Sequence, residues 1–503
     1  MDLHQNTRLS RRTVLQGSLV ASAAAASAST WPGLFSRAAA QTPVSATPTD
    51  PDQLIRALDD LVTARMAELQ VPGVAVGVIH EGREHAAGFG VTNLDHPLPV
   101  DAGTLFQIGS TSKTYTGTAL MRLVEQGKVD LDAPVRTYLP DFRVADEAVS
   151  EQVLVRHLVM HTAGWYGDDF TDTGDGDDAL ETYVAEMADL PQIAPLGSYF
   201  SYNNAALSLA GRVIEVVTGQ TFEAAIGELV LQPLGLEESF FFPEEIMTRS
   251  FAVGHVAPEE DPEGAPVVNE PWALPRGVHP AGGVISTVSD QLRYARFHLG
   301  DGMVDGTRVL SAESLRQMQQ PLGPGGAVGP LVLDGVGVTW LLMTIGGEPV
   351  VMHGGSTNGQ QSTFLLVPAR GFAVTVLTNA DAGGKLADEV TLWALEQYLG
   401  LHHPTPSPIA VDPKQLADYV ADYDLGGGVV ISVREDESEG GLTLDATVDG
   451  EPMPGGSGPL PLVAVDQAAF DLDGITYLTD FVRADTGQVA WLRFAGRLAR
   501  RLE

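Results

Sequence analysis

The chain has 503 residues, of which 44% are hydrophobic, and this is typical of a globular protein with more than one domain. The composition contains no cysteine, which excludes disulfides, thiolate zinc sites and a cysteine nucleophile. The formal net charge is −36, so nucleic acid and anionic membrane surfaces are not expected partners. The acidic excess fits two interpretations, solubility and adaptation to high salt.

The first forty residues have the features of an export signal. The segment around Arg11-Arg12 resembles a twin-arginine motif, and a weakly hydrophobic Ala/Ser-rich run follows it. Ala38-Ala39-Ala40 then offers a small-residue cleavage site. The run is too short and too polar to serve as a membrane anchor. We therefore expect residues 1–40 to be a signal peptide and residues 41–52 a linker. The mature protein would be periplasmic or extracellular, without a membrane span.

Residues 53–400 are expected to form one domain that begins and ends with strands. Glycine, proline and the spacing of apolar residues set the predicted boundaries. In chain order the pattern predicts a helix over 52–69, a strand over 73–79 with a hairpin partner, helices over 114–126 and 202–218, strands over 363–367 and 372–378, and a helix over 387–399. This order predicts one sheet built from both ends of the segment, with a helical insertion between them.

The composition changes after residue 400. Residues 401–410 are rich in proline and predict a stiff linker. Residues 411–503 contain short alternating segments separated by turn residues, which favours a small all-β barrel. The predicted strands are 429–434, 442–448, 460–465, 475–481 and 489–494. Such a domain could cap the active site, mediate assembly, bind a ligand or simply add stability.

A serine and a lysine stand three residues apart just before the helical pattern of 114–126. On a helix, Ser110 and Lys113 lie on one face. A serine hydroxyl needs a base to take its proton before it becomes a good nucleophile, and a lysine with a lowered pKa can be that base. Alone, this S-x-x-K spacing is also compatible with a capped helix that carries a surface lysine.

Further motifs support the catalytic interpretation. Phe106–Lys113, the pair Tyr202 and Asn204, and the segment His353-Gly354-Gly355-Ser356 resemble the three motifs of the serine β-lactamase and penicillin-binding-protein superfamily. The likeness is to its class C β-lactamase, D-aminopeptidase and esterase branch, of the peptidase S12 type. It covers residues 53–400 and implies an α+β, β-lactamase-like fold, with an antiparallel sheet flanked by helices and a helical subdomain.

The opening of the C-terminal segment also resembles a known domain. Residues 416–423 are similar to the first motif of the lipocalin-like domain that often follows such hydrolases, with Ala421 where that motif has glycine. The resemblance implies a lipocalin-like barrel for residues 411–503.

The superfamily resemblance implies catalytic roles for three residues. Ser110 would attack the acyl carbon, and Lys113 and Tyr202 would share the proton that passes to the leaving group and later comes from water. Tyr202 would act either as phenol or as phenolate.

The other matched residues would bind substrate and stabilise the oxyanion. Asn204 would position Lys113 and the substrate. The backbone N–H groups of Ser110 and Ser356 would form the oxyanion hole. Gly354 and Gly355 would let substrate lie close to the strand edge.

His353 departs from the lysine that most β-lactamases have at this position. Histidine is largely neutral at pH 7. The motifs therefore predict a serine hydrolase that acts on peptide, amide or ester substrates, with two alternatives: a β-lactamase proper, and a catalytically idle ligand-binding protein. No cofactor or metal is predicted, the partner is a small molecule or peptide, and a homo-oligomer is compatible with the sequence.

Two other clusters are expected to be structural. His157 and His161 lie four residues apart but lack the glutamate of a zinc-binding H-E-x-x-H motif. The Asp-rich residues 167–178 do not match the ligand spacing of a calcium loop. We expect this loop to be a solvated rim near the active site.

Overall fold

A computed structural model gives the fold, and it describes residues 50–258, 261, 264–436, 441–472 and 475–502. The predicted signal peptide lies outside the described residues, as does nearly all of the linker 41–52. In the described part of the chain, no helix combines the length and apolar composition that crossing a bilayer requires.

The N-terminal domain contains an eight-stranded antiparallel sheet. Its strands are β1 (Gly73–His80), β2 (Arg83–Gly90), β3 (Gly323–Pro324), β4 (Gly335–Val336), β5 (Leu341–Ile345), β6 (Glu348–Ser356), β7 (Gln361–Val367) and β8 (Phe372–Thr378). Their order across the sheet is β2-β1-β8-β7-β6-β5-β4-β3. Strand β1 pairs with β8 so that Val76 lies opposite Val376. The predicted sheet built from both ends of the segment is therefore confirmed.

Five longer helices surround or follow this sheet. They are α1 (Pro51–Glu68), α2 (Ser112–Glu125), α3 (Asn204–Thr218), α4 (Val288–Leu299) and α5 (Gly383–Leu399). Helices α1 and α5 share one apolar cluster with Val74, Val76 and Val78 of β1. Helix α4 packs with Ala75 and Ile79 on the opposite face. Successive side chains of a strand point to opposite faces, so strand β1 contacts one helical layer on each face of the sheet.

Shorter elements complete the N-terminal domain. The short helices are Glu147–Gln152, Val155–Val159, Ala179–Glu186, Phe222–Ile226, Gln232–Leu234, Pro243–Ile246, His279–Gly282 and Ala312–Met318. The two-residue strands pair as Phe106–Gln107 with Ile285–Ser286, His255–Val256 with Val267–Val268, Met303–Val304 with Thr307–Arg308, and Ala327–Val328 with Leu331–Val332. Most of these elements lie between β2 and β3, which is the predicted helical insertion.

The C-terminal domain is a nine-stranded antiparallel sheet preceded by the short helix Pro413–Leu416. Its strands are β9 (Ala421–Gly426), β10 (Val429–Asp436), β11 (Gly441–Val448), β12 (Glu451–Pro459), β13 (Leu462–Ala464), β14 (Gln467–Leu472), β15 (Ile475–Arg483), β16 (Val489–Phe494) and β17 (Arg497–Arg501). The order is β12-β11-β10-β9-β17-β16-β15-β14-β13. The described pairings do not join the edge strands β12 and β13, so the domain is all-β as predicted but is not shown to be a closed barrel.

The two domains are in direct contact. Leu498 of β17 packs in a small apolar cluster with Ile193 and Ala194 of the helical insertion. The indole N–H of Trp491 donates a hydrogen bond to Ile193 O at 3.0 Å. These contacts bring the central strands β16 and β17 of the C-terminal sheet against the part of the N-terminal domain that carries Tyr202.

The buried Trp340 is a position at which a cavity is expected to lower the stability of the N-terminal domain. Trp340 is fully buried, and its ring lies 5.0 Å from that of His298 and 5.9 Å from that of Phe364. Trp340→Ala is expected to lower the free energy of unfolding by about 3–5 kcal/mol, because it removes packed surface and leaves a cavity. Chemical denaturation followed by circular dichroism measures this, with the 59% exposed Leu98 changed to Ala as control. Equal stability of the two variants would contradict the packing.

Candidate active site

Ser110 lies on a single 3₁₀ turn, Gly109–Thr111, that leads directly into helix α2. Gly109 has φ +50°, and a Cβ added there would lie 2.6 Å from the backbone nitrogen of Ser356. Only a residue without a side chain allows so close an approach in this conformation. The turn that carries Ser110 therefore packs directly against the end of strand β6.

Hydrogen bonds fasten this turn to the sheet and to the helical insertion. The hydroxyl of Ser362 on β7 donates to Ile108 O at 2.7 Å and lies 2.9 Å from the hydroxyl oxygen of Thr111. The backbone N–H of Val284 donates to Ser112 Oγ at 2.9 Å. Two separate parts of the chain thus hold the turn on either side of Ser110.

Lys113 is fully buried, and its Nζ lies 2.9 Å from Ser110 Oγ. The amine also donates to the carbonyl oxygen of Ala281 at 2.7 Å. Burial, reinforced by the nearby guanidinium of Arg497, holds the pKa of Lys113 well below its ordinary value, although Asp168 acts in the opposite direction. A neutral amine at this distance can accept the hydroxyl proton of Ser110.

Tyr202 is buried beside the same pair of residues. Its ring centroid lies 4.9 Å from Lys113 Nζ, and the side chain of Ser110 is among the groups that act on the pKa of its hydroxyl. Burial raises the pKa of Tyr202 well above the ordinary value for a phenol. Of the two forms that the motif left open, the neutral phenol is therefore favoured. The ring of His161 stacks on Tyr202 with centroids 4.5 Å apart.

Asn204 begins helix α3, and its amide donates to Asp168 Oδ1 at 2.8 Å. Asp168 in turn accepts from Arg497 Nε at 2.9 Å, across the boundary between the two domains. The Asp168 side chain is only 2% exposed. The expectation that the Asp-rich loop is solvated is therefore wrong at Asp168, because this carboxylate is buried and paired.

Strand β6 borders the site with the segment His353 to Ser356. His353 is buried, and burial lowers its pKa to about 3, so the ring is neutral. Its Nδ1 lies 2.6 Å from the carbonyl oxygen of Gly354. A Cβ added at Gly355 would lie 2.7 Å from the backbone nitrogen of Ser110. The N–H groups of Ser110 and Ser356 therefore lie at one junction between the turn and the strand.

A cavity of about 540 Å³ adjoins the nucleophile turn. Gly282 and Gly283 line it, and a Cβ built at Gly282 would lie 3.8 Å from the carbonyl carbon of Gly109. Its lining is Gln107, Asp175, Asp177, Phe241, Phe242, Pro243, Glu244, Trp272, Ala273, Leu274, Arg276, His279, Gly282, Gly283 and Ile285. Among the described residues, no group of three or more His, Asp or Glu side chains is arranged to hold a metal ion.

Taken together, the predicted residues Ser110 and Tyr202 both lie beside the Lys113 amine, next to the predicted segment of β6. The arrangement places a serine hydroxyl, a buried amine, a phenol and two backbone N–H groups at one site. The family model for beta-lactamase matches residues 58–398. The chain belongs to the beta-lactamase family.

Relatives of this beta-lactamase-family protein include a penicillin-binding protein and a beta-lactamase. Penicillin-binding protein 4 of Amycolatopsis lactamdurans is 36% identical over 370 residues, which cover 73% of this chain and 96% of the relative. A beta-lactamase of Pseudomonas fluorescens is 27% identical over 344 residues, which cover 64% and 92%. Members of this family are serine hydrolases.

Solved structures resemble the beta-lactamase-family protein over nearly its whole length. The crystal structure of SurE covers 90% of this chain and 100% of its own, with a TM-score of 0.71 and 25% identity. An octameric penicillin-binding protein homologue from Pyrococcus abyssi covers 88% and 99%, with a TM-score of 0.62 and 25% identity. Since the family model ends at residue 398, these likenesses extend into the C-terminal domain.

Asp168 and Arg497 lie in this beta-lactamase-family site but were not among the residues predicted from the sequence. Asp168 stood among several aspartates without a pattern to distinguish it, and Arg497 lies 329 residues further along the chain in another domain. His161 was expected to be structural, and its Nδ1 accepts the backbone N–H of Asn203 at 3.0 Å while its ring supports Tyr202.

Gly354 and Gly355 allow a matched test of the junction between β6 and Ser110. A Cβ at Gly355 would lie 2.0 Å from Ile108 O, whereas one at Gly354 would meet only Ser362 O at an ordinary 3.4 Å. Gly355→Ala is expected to lower kcat about 10²–10³-fold by displacing an oxyanion donor, and Gly354→Ala to lower it less, because its Cβ does not meet the turn that carries Ser110. Steady-state hydrolysis of a chromogenic ester measures both, with circular dichroism to verify folding. A larger loss in the Gly354 variant would argue against this junction.

Proposed function

We propose that the protein is an exported serine hydrolase that cleaves peptide, amide or ester substrates through an acyl-enzyme on Ser110. The observation that carries the proposal is the fully buried Lys113 amine, which lies 2.9 Å from Ser110 Oγ and beside the ring of Tyr202. A fully buried lysine is rarely present for structural reasons alone, because a charged amine is costly to remove from water.

In the acylation step, Lys113 accepts the proton of Ser110 as Oγ bonds to the substrate acyl carbon. The negative charge that develops on the acyl oxygen is stabilised by the N–H groups of Ser110 and Ser356. The proton then passes, through Lys113 and the Tyr202 phenol, to the leaving amine or alkoxide as its bond to the acyl carbon breaks.

In the deacylation step, a water molecule replaces the leaving group. The same residues take a proton from this water as its oxygen bonds to the acyl carbon, and they return a proton to Ser110 Oγ as the acyl–enzyme bond breaks. The product is a carboxylic acid. Asn204, held by Asp168, borders the site and is proposed to position Lys113 and the substrate.

The substrate is proposed to be a peptide, amide or ester rather than a β-lactam. The neutral His353 does not supply the permanent cation that a lysine would offer to a substrate carboxylate. The adjoining cavity is lined by Phe241, Phe242 and Trp272 and also by charged side chains, so it suits a substrate with both apolar and polar groups. A SurE structure with D-Leu, with a TM-score of 0.69, adds support for D-amino-acid substrates.

Three further properties belong to the same proposal. The arginine pair and cleavage site in residues 1–40 support export by the twin-arginine route. The opening motif of residues 416–423 and the antiparallel sheet support a lipocalin-like C-terminal domain. The octameric homologue from Pyrococcus abyssi supports a homo-oligomer.

Covalent labelling tests the nucleophile. Exposure to a fluorophosphonate is expected to add one phosphonyl group at Ser110, because this serine has a base in contact with its hydroxyl. Ser110→Ala is expected to abolish both the label and the hydrolysis of a chromogenic ester or D-amino-acid amide, whereas the control Ser289→Ala, at an exposed serine of α4, retains the label. Intact and peptide mass spectrometry locate the adduct.

The result also decides between the alternatives. An unlabelled wild-type protein without turnover would identify a catalytically idle binding protein. Rapid turnover of a penicillin, in a panel ranked by kcat/KM, would identify a β-lactamase proper.

The role of Lys113 as a base is tested by replacing it with arginine, whose side chain stays protonated. Lys113→Arg is expected to lower kcat/KM at least 10²-fold, because a guanidinium stays protonated and does not accept the Ser110 proton. Lys128→Arg changes an exposed lysine and is expected to leave activity unchanged. The wild-type rate is expected to persist well below the ordinary pKa of lysine and to fall on acidification as the amine becomes protonated. An active Lys113→Arg variant would contradict its role as the base.

A further inference from the structure

The hairpin turn between β16 and β17 of the C-terminal domain touches the segment that carries Tyr202. The backbone N–H of Tyr202 donates to Gly496 O at 2.9 Å. Two residues further along, at the start of β17, the N–H of Leu498 donates to Ser201 Oγ at 3.1 Å. The C-terminal domain therefore contributes one hydrogen bond to the backbone of a proposed catalytic residue and one to the side chain of the residue before it.

Arg497 lies between these two contacts and directs its side chain into the site. Its Cζ lies 4.7 Å from the ring centroid of Tyr202, and the side chain is 14% exposed. Asp168 accepts from Arg497 Nε at 2.9 Å and from Nη2 at 3.3 Å, and it also accepts from Asn204. One carboxylate thus connects the cation of the C-terminal domain to the amide at the start of α3.

Arg497 and Lys113 both lie near the ring of Tyr202. Lys113 Nζ is 4.9 Å and Arg497 Cζ 4.7 Å from its centroid, so the two groups are at most about 10 Å apart. Two positive charges this close in a buried site repel, and arginine does not lose its proton at any ordinary pH. The repulsion is therefore relieved at Lys113, which is the group that has to be neutral to accept a proton.

The other titratable groups around Tyr202 do not replace this cation. His161 stacks on Tyr202, and His353 lies across the site with ring centroids 6.1 Å apart. Burial lowers the pKa of both rings, that of His353 to about 3, so neither carries a charge near neutrality. Asp168 is the anion in this group, and it opposes Arg497.

We propose that Arg497 is a positioning residue supplied by the C-terminal domain: paired with Asp168, it holds the ring of Tyr202 and provides the fixed positive charge beside which Lys113 takes the proton of Ser110. This inference rests on the proposed function. It assigns the C-terminal domain a part in the acyl-transfer chemistry itself, because the charge and the backbone contacts come from one hairpin turn.

The test is the pH profile of kcat/KM for a chromogenic ester in two variants that remove opposite charges. Arg497→Met removes the cation and leaves Asp168, so the acidic limb of the profile is expected to move up by about one pH unit. Asp168→Asn leaves the cation without its counter-charge, so the limb is expected to move down. The double variant removes both charges and is expected to lie within about half a pH unit of the wild type. Damage to folding alone would not shift the two single variants in opposite directions.

Arg500→Met is the matched control, because Arg500 lies on the same strand and also crosses the interface, but donates to the carbonyl oxygen of Ile193. Its profile is expected to match that of the wild type. Shifts of both single variants in one direction, no shift in either, or an equal shift in Arg500→Met would overturn the inference. So would a change in KM alone, which would assign Arg497 to substrate binding. Absence of wild-type turnover would refute the proposed function first, and with it this inference.

Discussion

The burial of the Lys113 amine is the constraint on which the rest of the site depends. A side chain that is fully excluded from water keeps its positive charge only at a high cost in free energy, and here the pKa falls instead. The carbonyl of Ala281 and the hydroxyl of Ser110 satisfy the neutral amine. The neutral state of His353 agrees with this arrangement. A charged His353 on β6 would be a second cation, in addition to Arg497, that repels a protonated Lys113.

The topology of the sheet explains how such a site can be held rigidly. The nucleophile turn precedes α2, whereas its partner strand β6 lies some 240 residues later and pairs with β5 and β7 inside the sheet. Gly109 and Gly355 let the two backbones approach more closely than any side chain would permit. The donors of the proposed oxyanion hole are thus positioned by main-chain contacts, which vary less than side-chain rotamers.

Local sequence patterns predicted the elements and residues that depend on neighbours in the chain. The helix over 52–69 and the strand over 372–378 agree with α1 and β8 to within one residue, since their apolar spacing and flanking breakers are local signals. The motifs that contain Ser110 and Tyr202 were visible for the same reason. Strand β12 was missed because its proline and glycine content is typical of a loop. Asp168 and Arg497 were missed because their partnership is a long-range contact, and no local pattern distinguishes a buried aspartate from its solvated neighbours.

The pairing of β1 with β8, and the contact of Gly496 with Tyr202, impose an order on biosynthesis. Strand β1 cannot pair fully with β8 until the ribosome has made residue 378. The hydrogen bond to the backbone of Tyr202 cannot form until residue 496 has been made. Contacts between residues so distant in the chain form slowly, because the intervening segment must first be ordered. A nascent chain released early would therefore contain Ser110 and Lys113 without the complete surroundings of Tyr202. In this way the contacts around Ser110 and Tyr202 are completed only after residue 496 has been translated.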